Sequence, residues 1–83
     1  MKTLILSHAA KKSLDALPDA PREQISEALI NYAVDGRGDV IKLTGQDMYR
    51  MRVGRYRVIF DEDTITILAI SIGKRDTTTY KRH

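Results

Sequence analysis

The sequence has no cysteine, which removes disulfides and thiol nucleophiles and fits a reducing compartment. It has no apolar run near the roughly 18 residues needed to span a bilayer. Its opening, MKTLILSHAAKK, holds an apolar stretch too short and interrupted for a secretory signal, so the cytoplasm is the expected location and no membrane is expected as a partner. Repeats, linkers and low-complexity tracts are missing as well. Histidine is scarce: His8 opens a predicted helix and His83 is the last residue, so neither is expected to catalyse anything. What remains is 83 residues, 42% hydrophobic and 30% charged, room for one core and one domain spanning 1–83. The net charge is only +3, but residues 1–41 hold five Lys and Arg against six acids, while residues 42–83 hold nine against five. A basic excess confined to one half suggests a polyanion touching one side of the molecule, nucleic acid before others, against the alternative of a merely solvated surface.

Local pattern supplies the elements. Lys2 to Leu6 reads as a short strand, and Ser7 is placed to cap a helix starting at His8 whose apolar stripe is Ala10, Leu14 and Leu17. Pro18 stops it. Pro21 suits the first turn of a second helix, on which Ile25, Ala28, Leu29, Tyr32 and Ala33 form one face and Gly36 makes the left-handed end. The short connection implies an antiparallel helix hairpin. Arg37 to Asp47 reads as a loop anchored by Ile41 and Leu43, and Asp61 to Asp63 as an acidic turn. Tyr49–Val53 and Tyr56–Phe60 are strand-like runs joined by Gly54-Arg55, with glycine first as a type II′ turn wants, and Thr64–Ile72 is a third. The expected fold is α+β: an N-terminal strand, two helices, then a three-stranded antiparallel meander, in one sheet covered by the helices on one face.

Alternation along these strands sorts the side chains. With a two-residue turn at Gly54-Arg55, Val53 faces Tyr56, Arg52 faces Arg57, Met51 faces Val58 and Arg50 faces Ile59. The apolar members belong against the helices, which leaves Arg50, Arg52 and Arg57 in one patch on the other face. Two unit charges about 6 Å apart repel by roughly 0.7 kcal/mol in water, and by on the order of 3 kcal/mol at an effective dielectric of about 20. Such a patch calls for a compensating acid or a bound anion. No acid sits within these strands, and Asp47 and Asp61 only flank them. The guanidinium fork matches phosphate, so an RNA backbone is the expected ligand, although arginines lying flat to guard an open sheet face would give the same pattern. Gly73 allows a close backbone approach ahead of Lys74 and Arg75, and Tyr80 follows in a basic tail with Lys81 and Arg82, where an aromatic ring can stack on a base.

These residues together, Lys42-Leu43-Thr44-Gly45, Tyr49 through Phe60, Ile70 through Arg75 and a late tyrosine, resemble the RelE/ParE superfamily of toxins from type II toxin–antitoxin systems. The likeness covers nearly the whole chain, and glycine followed by two cations and a tail tyrosine favours the RelE branch. That branch comprises ribosome-dependent endonucleases acting on mRNA, whereas the ParE branch inhibits DNA gyrase without being a nuclease. The resemblance implies that Arg50, Arg52, Arg57, Arg75 and Tyr80 occupy active-site positions; of the basic and tail residues, Arg57, Arg75 and Tyr80 are expected to be catalytic, and Arg50, Arg52, Lys42, Lys74 and Lys81 to bind the RNA backbone. It implies a cognate antitoxin, the ribosome and mRNA as partners, with neither metal nor small-molecule cofactor. Two positions depart from the pattern. Well-studied members carry lysine where this chain has Arg50 and Arg52, and arginine keeps its proton above about pH 12, which makes it a poor general base. The ribosome and geometry would then supply most of the rate, or the chain would be a weaker nuclease or another kind of inhibitor. Rival readings are a ParE-like gyrase inhibitor, a non-catalytic basic RNA-binding module, and a metal-dependent nuclease built on Asp61, Glu62 and Asp63.

Overall fold

In the computed structural model, which describes residues 1–45 and 48–74, strand β1 (Thr3–Leu6) hands the chain to helix α1 (His8–Asp15) through Ser7. Ser7 is extended, and its Oγ accepts from the Ala10 amide at 3.0 Å, satisfying one of the first-turn donors. The same hydroxyl donates to the Ile70 carbonyl at 2.8 Å, which ties the cap to the far end of the chain. Helix α2 (Asp19–Asp35) begins just past Pro18 and includes Pro21 in its first turn, where a missing amide costs nothing. It ends on Gly36 at φ 73°, whose amide donates to the Tyr32 carbonyl at 2.8 Å. Each helix packs mainly on the sheet, α1 on β1 and the last strand, α2 on β1 and the third; contact between the helices is minor, so the expected helix hairpin is held by the sheet beneath it.

The remaining strands are β2 (Asp39–Lys42), β3 (Tyr49–Val53), β4 (Tyr56–Glu62) and β5 (Thr66–Lys74). They form one sheet in the order β1-β5-β4-β3-β2, antiparallel except that β1 runs parallel to β5. The meander, its register and the turn are as the alternation predicts. Gly54 has φ 59° and Arg55 has no positive φ, the signature of a type II′ turn with glycine first. Two readings are corrected. The segment expected to be a loop contains β2, an edge strand in which only Val40 is screened by the core, so its pattern offers almost no hydrophobic alternation. The acidic turn is also shorter than expected: Asp61 and Glu62 continue β4, and the turn tightens around Asp63, whose Oδ1 accepts the Ile65 and Thr66 amides at 2.9 and 2.8 Å. That shift moves the last strand to Thr66–Lys74.

The core lies between the helices and one sheet face. Phe60, Ile25, Leu29, Met51, Ile67 and Val58 are fully buried there. Phe60 is stacked against Tyr49 at 5.5 Å between ring centroids and meets Tyr32 edge-on at 5.4 Å. A bulge opposite Ile59 and Phe60 absorbs one residue of β5 near Ile70, the carbonyl that Ser7 captures. No helix among the described residues is long and apolar enough to cross a membrane.

Candidate functional site

Because Met51, Val53, Val58 and Phe60 are committed to the core, the residues between them must face away from the helices. Two rows run across this open face. One reads Asp39, Arg52, Arg57, Gly73 from β2 to β5, and the next reads Ile41, Arg50, Ile59, Ser71. Arg52 and Arg57 are direct cross-strand partners, and Arg50 lies diagonal to Arg57, about 7–8 Å away at Cα. The three arginines predicted to share a patch therefore do share one.

Their surroundings differ. Arg52 donates from Nε to Asp39 Oδ2 at 2.8 Å, and both side chains are about half exposed. This is a compensating acid that the strand pattern hides, since Asp39 belongs to the segment read as a loop. Arg57 and Arg50 have no acidic partner among the described residues. Arg50 is half-buried between Ile41 and Ile59, its stem sheltered by apolar neighbours, and its Nε is buried without a hydrogen-bond acceptor. Beside Arg57, Gly73 presents no side chain, and a Cβ built there would meet nothing within 4 Å. The face thus offers two unpaired guanidinium groups, one paired but exposed, and a bare strip of backbone next to them.

Other predicted members lie elsewhere. Lys42 pairs with Tyr49 and Lys74 with Tyr56, both of which point to the helix side, so the register sets these lysines apart from the arginine rows; both are exposed at strand ends. Arg75, Tyr80 and Lys81 fall outside the described residues. The acids Asp61, Glu62 and Asp63 do not converge. Asp61 is on the open face, Glu62 turns to the helix side and pairs with Lys2 at 3.1 Å, and Asp63 is consumed by its own turn. Among the described residues no group of three or more His, Asp or Glu could hold a metal ion. The amide bonds to Asp63 lower its pKa, whereas burial and then Glu62 push the Tyr32 hydroxyl up to about 12.

Such an arrangement can bind and orient a phosphodiester and neutralise charge building on it. A small α+β domain with a basic, open sheet face is the class this geometry defines. Comparison with known families is more specific: a model described as the ParE toxin of the type II toxin–antitoxin system parDE matches residues 4–77, so the chain belongs to that family of toxins, within the RelE/ParE superfamily. Among solved structures it is similar to archaeal RelE in the RelE–RelB complex from Pyrococcus horikoshii, with 28% identity, a TM-score of 0.77, and 89% of this chain and 94% of that one covered. It is similar also to the toxin of the intact E. coli RelBE complex, at 25% identity and TM-score 0.76, covering 92% and 99%. The YoeB–YefM complex of Staphylococcus aureus, at 20% identity and TM-score 0.69 over 86% and 93%, shares the fold. A search of curated proteins finds no match.

Proposed function

We propose that this toxin is a metal-independent endoribonuclease that cuts mRNA on the translating ribosome. The observation that carries the reading is the pair of guanidinium groups, Arg57 and Arg50, that have no acidic partner among the described residues and lie on an open face beside the bare backbone of Gly73. In this reading the 2′-hydroxyl of the RNA attacks the adjacent phosphorus, the P–O5′ bond breaks to leave a 2′,3′-cyclic phosphate and a 5′-hydroxyl, and the 2′-proton passes through solvent to the departing oxygen. Arg57 and Arg75 neutralise the pentacovalent transition state, Arg50 and Arg52 hold the flanking phosphates, and Tyr80 stacks on a base or assists proton transfer. Arginine cannot serve as the base near neutral pH, so positioning and charge neutralisation carry most of the acceleration. The similarity to RelE of P. horikoshii and E. coli, both crystallised with RelB, supports a cognate antitoxin as the partner that silences this face.

A second reading has its own support. The matching family model is that of ParE, and arginines replace the lysines of well-studied nucleases, as suits a toxin that inhibits gyrase. Induction of the chain alone separates the two. The nuclease stops growth and produces truncated messages, mapped by primer extension, only where ribosomes translate them. Arg57→Ala, a change on the open face, should leave the fold intact and lower cleavage by about 100-fold or more. Intact messages together with DNA-damage signalling would overturn the nuclease and favour the gyrase inhibitor.

A further inference from the structure

Among the described residues, the Asp39–Arg52 pair is the one acidic contact within the arginine rows. Asp39 stands at the start of edge strand β2, directly opposite Arg52 in register, and its Oδ2 accepts a hydrogen bond from Arg52 Nε at 2.8 Å. The Arg52 side chain is 48% exposed and that of Asp39 53%, so the pair is open to solvent. Exposed ion pairs of this kind are weak and are broken readily by a competing anion. Arg57, next in the same row, has no such partner among the described residues.

We propose that Asp39 is a built-in counter-anion: it occupies the place of a phosphate on Arg52, relieves the Arg52–Arg57 repulsion in the free toxin, and weakens the site for RNA until a backbone phosphate displaces it. The inference rests on the phosphate-binding reading of this face and assigns its regulation to one carboxylate. A phosphate entering at Arg52 exchanges one anion for another, whereas one entering at Arg57 or Arg50 gains a full new contact. Arg52 therefore contributes less to affinity than its position suggests, and Asp39 is the reason.

The test is binding of a fluorescein-labelled, 2′-O-methylated RNA hexamer, which cannot be cleaved, followed by anisotropy across a salt series. Asp39→Asn should tighten binding about three- to fivefold at low salt and steepen the slope of log K against log salt by roughly 0.7, one single-strand phosphate contact. Asp61→Asn, on the same face and diagonal to Arg50 but paired with no arginine among the described residues, controls for the loss of any negative charge and should change affinity less than twofold. In an Arg52→Ala background the gain from Asp39→Asn should fall to that of the control. The proposal is overturned if Asp39→Asn behaves like Asp61→Asn, or if its gain persists without Arg52. Expected binding behaviour with uncut messages in induced cells would instead sink the nuclease and keep Asp39 as the counter-anion.

Discussion

Gly73→Val asks whether the open face works because one strand position is bare. Gly73 lies opposite Arg57 in register and points to the same side, and a Cβ at this position has no atom within 4 Å. It has no positive φ, so a branched side chain enters without backbone strain and should raise strand propensity, favouring the folded state by up to about 1 kcal/mol. The added isopropyl group fills the space beside the Arg57 guanidinium where a phosphate would sit. Blocking one charge-assisted contact costs about 1.5–3 kcal/mol, roughly 10- to 150-fold in cleavage. Melting followed by circular dichroism and primer extension after induction read the two effects separately. Gly73→Ala, with its smaller side chain, should fall between wild type and valine. A valine variant that folds at least as well and cuts messages at the wild-type rate would refute the placement of substrate beside Arg57.

Two further substitutions probe what holds the face in place. Ser7→Ala removes the α1 cap and the donor to the Ile70 carbonyl at the bulge, and should cost about 2 kcal/mol in urea denaturation; Ser7→Thr should restore most of it. Tyr32 concerns high pH. Its hydroxyl is held near 12 in the folded chain against 10.0 ordinarily, so from about pH 10 upward the unfolded state loses this proton first and stability falls as pH rises. Below that range the group contributes nothing to the pH dependence, and Tyr32→Phe should flatten the loss in denaturation midpoint between about pH 10 and about pH 12. An equally steep loss in the phenylalanine variant would place the titration elsewhere.

The meander was legible because two independent signals agree on its register. Alternation in Tyr49–Val53 and Tyr56–Phe60 fixes the faces, and Gly54-Arg55 fixes which residues stand opposite. Pro18 and Gly36 bound the second helix for equally local reasons. β2 carries no comparable signal. It is four residues long at a sheet edge, with Asp39 and Lys42 at its ends and a single apolar residue screened by the core, and it exists because β3 offers an unpaired ladder of amides and carbonyls. A strand dictated by its neighbour rather than by its own composition is invisible to a local reading. So is the parallel pairing of β1 with β5, which joins segments more than sixty residues apart.

Missing β2 had a chemical consequence larger than one strand. With 37–47 read as a loop, the arginine face had no acid within reach and its repulsion pointed only to a bound anion; with β2 in place, Asp39 neutralises Arg52 and eases its repulsion of Arg57, while Arg57 and Arg50 have no acidic partner of their own among the described residues. Repulsion across the face therefore no longer argues equally for three phosphate contacts. It argues for two strong ones, centred on Arg57 and Arg50, and a third that must be won from Asp39. Since the inward residues of the same strands supply the packing, substitutions among these arginines should alter binding far more than melting temperature, which is what separates a phosphate site from cations that merely decorate an open sheet.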